Sequence, residues 1–212
     1  MKRIVGILLM VFSINLAMGQ GDESKAILDK MSALYKAMPG FEIGFVQKVI
    51  DEAEVVDRFA GSAQVSKEQF IVKFKDQYIY CNGTILWTYL AESQELTIAN
   101  FEPEESFINP SNVYDIYKEG FTYRYLRKEA LKGEDVHVIE LISTDEDSDF
   151  TNVIMYIGTE DSYLKAWDLI DYDGIQTSFE VSLFKPDQAY GVKHFVFSYE
   201  KHPVSHEEDF RN

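Results

Sequence analysis

The chain has 212 residues, 46% of them hydrophobic, and carries a formal charge of −16. That length allows one domain with a sizeable core, or at most two small ones. The acidity argues against nucleic acid and anionic lipid surfaces as partners, and a single cysteine, Cys81, excludes an internal disulfide and a thiolate zinc cluster.

Residues 1–19 read as a secretory signal peptide. Lys2 and Arg3 form its basic start, Ile4 to Phe12 is almost wholly apolar, and Ala17-Met18-Gly19 puts small residues where a peptidase requires them. Cleavage near Gly19-Gln20 leaves residues 20–212 as one soluble, exported domain. The apolar run is too short to span a membrane comfortably. Asp22 to Met38 reads as an amphipathic helix, because Ile27, Met31, Leu34, Tyr35 and Met38 fall on one stripe and Pro39-Gly40 stops it.

From Phe41 the hydrophobic period changes to two. Phe41, Ile43 and Phe45, then Phe70, Val72 and Phe74, alternate with other residues. Ile85, Trp87 and Tyr89 follow Asn82-Gly83, the strongest hairpin signal in the chain. Leu96 and Ile98 continue the pattern. Phe101 to Gly120 interrupts it, with a short helix expected after Asn109-Pro110-Ser111. Alternation resumes at Phe121 and runs through 136–142, 153–157, 164–170, 175–183 and 195–199, with Asp171 to Gly174 as a turn. Glu207-Glu208-Asp209 reads as a mobile acidic tail. The pattern predicts a mainly β fold: a single curved antiparallel sheet of about eleven strands, with an N-terminal helix and a short inserted helix. Two helices cover only part of such a sheet, so a concave apolar surface remains.

No pattern of catalytic residues stands out. Asp145 to Asp149 resembles a calcium loop, but Phe150 and Tyr156 stand where its Gly and Glu belong. His202 and His206 have metal-ligand spacing, but Pro203 lies between them and no general base accompanies them. No G-x-S-x-G elbow or phosphate-binding glycine loop occurs. Many carboxylates could pair across a sheet, and the sequence singles out none.

Taken in order, several of these segments resemble the periplasmic outer-membrane lipoprotein carrier proteins, the LolA family. Phe41-Glu42-Ile43-Gly44-Phe45-Val46-Gln47 is similar to that family's first strand. Asn82-Gly83-Thr84-Ile85-Leu86-Trp87-Thr88-Tyr89 is similar to its D-G-K-x-x-W-x-Y hairpin. Asp173-Gly174 with Phe179, and Phe195-Val196-Phe197 before His202-Pro203, resemble its late strands. The resemblance implies an open half-barrel with the helices as a lid. It implies a soluble periplasmic carrier, not an enzyme, that needs no metal or cofactor and works as a monomer. Such a carrier takes acylated lipoproteins from an inner-membrane ATP-driven transporter to an outer-membrane acceptor. The sequence departs from the family at Ser66-Lys67-Glu68-Gln69, where family members carry an Arg-Pro pair whose Arg helps hold the lid closed. Two alternatives remain open: a lipoprotein sensor on the same fold, and an exported β-sandwich hydrolase.

The expected cavity wall is Phe45, Phe70, Val72, Trp87, Tyr89, Ile98, Met155, Phe179 and Val181, with Ile27, Met31 and Leu34 from the lid. A charge at Phe70 or Trp87 is then expected to abolish acyl-chain binding.

Overall fold

A computed structural model describes residues 19–103, 109–145, 147–191 and 193–211. The expected signal peptide lies outside these residues apart from Gly19. Helix α1 spans Gly19–Ala37. Its buried positions are Ser24, Leu28, Met31, Ser32 and Tyr35, a stripe of helical period. This stripe is turned slightly from the expected one: Leu28 is fully buried, whereas Leu34 is half-exposed and outside the core. The chain turns at Gly40, where a side chain is impossible. A Cβ there would lie 2.7 Å from the Val65 carbonyl oxygen and 2.8 Å from that of Gln188.

Two antiparallel meanders follow. The first comprises β1 (Phe41–Asp51), β2 (Glu54–Ser66), β3 (Gln69–Phe74), β4 (Gln77–Cys81), β5 (Ile85–Leu90) and β6 (Glu95–Asn100). The second comprises β7 (Phe121–Leu131), β8 (Glu134–Ser143), β9 (Asn152–Gly158), β10 (Leu164–Ile170) and β11 (Gln176–Lys185). β11 returns to pair with β1, which joins the meanders into one sheet. A last strand, β12 (His206–Asp209), adds to β6 in parallel. The order β12-β6-β5-β4-β3-β2-β1-β11-β10-β9-β8-β7 has two ends, so the sheet is an open half-barrel. Among the described residues no helix is long and apolar enough to cross a membrane.

Local chemistry fixes the turns. The Asn82 side-chain oxygen accepts hydrogen bonds from the Thr84 and Ile85 amides, and Gly83 takes φ +88°, so the expected hairpin joins β4 to β5. Asp171 does the same for the Asp173 and Ile175 amides before β11.

The sheet has an apolar surface on both sides. On the inner side Phe41, Ile43, Phe45, Val65, Phe70, Ile139, Leu141 and Met155 pack beneath α1. On the outer side Ile71, Tyr80, Trp87, Tyr89, Leu96 and Ile98 pack beneath Phe195 and Phe197. Three expectations are corrected here. Residues 195–199 are irregular rather than a strand, although Phe195 and Phe197 are buried. The acidic tail forms β12. The inserted helix is a run of turns ending in a single 3-10 turn, Ile116–Lys118. In that run the Asn109 and Asn112 side chains accept backbone N–H bonds from Ser111 and Asn109, which competes with helix formation.

The sheet order sets the span of this insertion. β6 and β7 are consecutive in sequence but separated by nine strands in the sheet. The connection from Phe101 to Gly120 must therefore travel the breadth of the sheet. Its described residues, 101–103 and 109–120, include Phe101, Val113, Tyr114, Ile116 and Tyr117, which join the core on the inner side. This connection is a strap across the half-barrel.

Candidate functional site

Beneath the strap lies an apolar cavity of about 160 Å³. Its floor is built from neighbouring strands: Ile43 and Phe45 on β1, Ala63 on β2, Val72 on β3, Trp167 and Leu169 on β10, and Phe179 on β11. Asn109, Pro110 and Val113 of the strap form its cover. Small residues make the space. Phe45 lies across Gly61, whose missing side chain would sit 2.4 Å from the end of the ring. Trp167 and Phe179 are paired across β10 and β11, and their rings stack at 4.8 Å with an interplanar angle of 10°.

Polar groups in this wall are few. The Asn109 side-chain oxygen accepts from the amide and the hydroxyl of Ser111. Trp167 is 7% exposed, and its Nε1 is the one buried side-chain nitrogen or oxygen without a hydrogen-bond partner among the described residues. A buried donor left unpaired costs about 1–3 kcal/mol.

A second, more polar pocket of about 370 Å³ opens between the end of α1 and the strap, lined in part by Tyr35, Lys36, Phe101, Asn109 and Tyr114. Beside it, a polar latch joins strap to helix. Asp115 accepts from the Ser32 hydroxyl at 2.6 Å and pairs with Lys36 and Lys118, each at 2.5 Å. Tyr117 donates to Asp29 at 2.7 Å, and Tyr35 stacks on Tyr114 at 4.8 Å. Burial pushes the Asp115 carboxyl up, but Lys118, Lys36 and Ser32 together outweigh it and hold it below its ordinary value. Lys67, which stands where the Arg-Pro pair is missing, lines the second pocket and takes no part in this latch.

The expected wall residues separate into two groups. Phe45, Val72 and Phe179 line the cavity. Phe70 packs on Phe101 at the root of the strap, Met155 is buried in the same cluster, and Val181 is half-buried against it. Ile27 and Met31 of α1 also belong to this cluster, while Leu34 does not. Trp87, Tyr89 and Ile98 are on the outer side, away from the cavity. Sequence reasoning missed Trp167, Leu169, Val113 and the latch residue Asp115. A bulge between Leu164 and Ala166 shifts the parity of β10, so counting alternate residues from Leu164 leads away from Trp167.

The outer side carries its own depression of about 740 Å³, bordered by Lys73, Tyr80, Lys193, His194, Lys201 and His202. His202 shares a 2.9 Å hydrogen bond with the Tyr80 hydroxyl and packs on Tyr78, Tyr89 and Phe197. Burial first, then Lys73 and Lys201, hold its imidazole below the ordinary value. An acidic cleft at the hairpin tips is occupied by ion pairs: Lys165 bridges Glu134 and Asp161, and Lys128 holds Asp135. Asp145 and Asp147 of the calcium-like stretch lie in a turn where Asp145 accepts the Asp147 amide, while Glu146 is outside the described residues. Among the described residues no three His, Cys, Asp or Glu side chains gather to hold a metal ion.

The fold and cavity together define an open half-barrel with a strapped apolar pocket. No family model matches the sequence, and no curated protein does. An uncharacterised conserved protein from Thermus thermophilus is similar in structure, with a TM-score of 0.60 at 13% identity over 90% of this chain and 99% of that one. A LolA superfamily protein from Nitrosomonas europaea matches at a TM-score of 0.45 and 14% identity, over 82% of this chain and 98% of that one. A putative outer membrane lipoprotein-sorting protein domain from Vibrio parahaemolyticus matches at 0.48 and 11%, over 83% and 97%. At such identities the likeness concerns the fold alone.

Proposed function

We propose that this chain is an exported carrier that shelters the acyl chains of lipoproteins between the sheet and the strap. The observation that carries the reading is the cavity itself, an apolar space on the inner side whose cover is tied to α1 by hydrogen bonds and ion pairs as well as by packing. The sequence resemblance to the lipoprotein carriers and the signal-peptide pattern of residues 1–19 support the same reading. In it the protein works as a periplasmic monomer, between an ATP-driven inner-membrane transporter and an outer-membrane acceptor.

The energetics suit a carrier. Each sheltered CH₂ contributes about 0.8 kcal/mol, so a long chain gains roughly 10 kcal/mol before ordering costs. A space of about 160 Å³ is smaller than the roughly 300–1,000 Å³ that encloses a drug-sized ligand. A full chain enters only as the strap lifts, and closure of the strap against it then opposes tight retention. Native mass spectrometry of the protein purified from its own periplasm tests the reading. Co-purified acylated lipoprotein, transferable to acceptor vesicles, is expected. A protein that carries no lipid and takes up no alkyl probe overturns it; one that binds lipoprotein without transferring it is a sensor instead.

A further inference from the structure

We propose that the depression on the outer side of the sheet binds a small phosphate ester, with its phosphate held by Lys73, Lys193 and Lys201 and its carbon part against Val196 and Tyr199. This site is on the other side of the sheet from the cavity and does not rest on the acyl-carrier reading.

Strand and cover both border this depression of about 740 Å³: Lys73 comes from β3, and Lys193 and Lys201 come from the covering segment. Two histidines tie that segment to the sheet. His194 Nε2 lies 2.8 Å from the Gln64 side-chain oxygen, and His202 Nε2 lies 2.9 Å from the Tyr80 hydroxyl. The lysines have no such engagement. All three are exposed, and among the described residues none is in an ion pair; Lys73 sits over the Tyr78 ring at 5.7 Å. One carboxylate, Glu200, shares the border with these three lysines, in a chain whose formal charge is −16. Glu42 is taken by Lys185 and Gln64, and Glu207 by the Tyr199 hydroxyl. The positive field reaches both histidines: burial first, then Lys73 and Lys201, hold each imidazole below its ordinary value. A bound anion relieves this crowding of like charge. The donors say which anion. No arginine lines the depression to grip a planar carboxylate with two parallel bonds. Ammonium groups are point donors, and several of them suit a group with three terminal oxygens and close to two charges, a phosphate monoester. Val196 and Tyr199, 37% and 55% exposed, offer apolar surface beside them. The acidity of the rest of the chain repels a flat anionic bilayer, so the ester is a soluble one.

The test titrates phenyl phosphate, benzoate and phosphatidylglycerol vesicles into the whole protein at about pH 7.5, where a phosphate monoester carries close to two charges. Backbone ¹H–¹⁵N resonances report where each binds. Phenyl phosphate is expected to move those of Lys73 and of Lys193 to His202 saturably, and to leave those of Trp167 and Leu169 in the cavity wall in place. Benzoate is expected to bind at least about fivefold more weakly. Lys73→Gln and Lys201→Gln are each expected to weaken phenyl phosphate about threefold and together about tenfold, while Glu200→Gln tightens it about twofold. Because the ester bridges strand and cover, it is also expected to slow amide exchange at Phe195 and Phe197. No saturable shift, shifts confined to other residues, or a double lysine variant that binds as well as wild type overturns the site. Benzoate binding as tight as that of phenyl phosphate overturns the phosphate assignment. Vesicles that capture wild-type protein but not the double variant assign the phosphate to a lipid headgroup and overturn the soluble ester.

Discussion

At Gly61 there is no space for a methyl group, and what stands in the way is the cavity wall. A Cβ there meets the Phe45 ring at 2.4 Å and the Lys73 carbonyl oxygen at 3.0 Å. The ring can yield only by swinging off β2, toward the space it borders. Gly61→Ala is therefore expected to cost about 1–3 kcal/mol and to weaken alkyl-probe binding together with thermal stability. Intact probe affinity in a destabilised variant would place the displaced ring elsewhere. Val72 separates site from core more cleanly. It is half-buried on the cavity floor, so Val72→Glu brings a charge into an apolar space and is expected to lower dodecane affinity at least about tenfold. Trp87→Ala is expected to do the opposite, lowering the melting point by the equivalent of about 3–5 kcal/mol while probe affinity holds. The same contrast shows what was legible. Alternation put Trp87, Tyr89 and Ile98 on one face together, and they are. It could not say that a second apolar layer, Phe195 and Phe197, covers that face from outside. A sheet buried on both sides shows alternation without revealing which phase points to the ligand. Trp167 was hidden for a different reason, since the β10 bulge breaks the count.

Among the elements, those defined by turn chemistry were readable and those defined by long-range packing were not. Pro39-Gly40, Asn82-Gly83 and Asp171 to Gly174 end their elements where expected, because each turn is held by its own residues. In the strap the apolar residues have helical spacing, which by itself predicts a helix. Its asparagine side chains and its burial across the sheet decide otherwise. Asp115 was invisible because its partners Ser32 and Lys36 are some eighty residues away. Asp115→Ala is expected to speed amide exchange at Val113 and Tyr114 and to accelerate probe release. Unchanged exchange there would mean that ring stacking alone, not the latch, holds the strap. The covering segment on the outer side is expected to respond to pH. His202 is held below its ordinary value, so the released segment binds the proton more readily than the docked one. Docking is thus complete above about pH 6.5 and weakens as pH falls toward the docked value. His194, also depressed by burial and then by Lys201 and Lys73, acts in the same sense. Exchange of the Phe195 to Phe197 amides is expected to quicken as the sample is taken from about pH 7.5 to about pH 5.5. His202→Phe is expected to reduce that response. A response of full size in the variant would assign it elsewhere, His137 being depressed by burial as well.

For the whole molecule, an open sheet must protect two edges, and it protects them differently. β7 carries Arg124, Arg127, Lys128 and Glu129, whose charges oppose strand-on-strand association. β6 carries none along Leu96 to Asn100 and depends on β12 instead. The parallel pairing of His206 to Asp209 with Glu95 to Ile98, continued by the Phe210 amide on the Ile98 carbonyl at 2.8 Å, occupies the backbone groups of that edge. The acidic side chains of β12 then face solvent and repel a second copy. Far from being a loose tail, this segment covers the β6 edge. Ending the chain at Ser205 strips the edge without touching the cavity. Light scattering after size exclusion is expected to show concentration-dependent dimers or larger species, with alkyl-probe binding by the remaining monomer unchanged. Pro substituted at Thr97, which faces β5 and β12 alike, is not a fair substitute because it also removes a ladder hydrogen bond. A truncated chain that stays monomeric at high concentration would show that the β6 edge is protected by its own twist, and that β12 has another purpose.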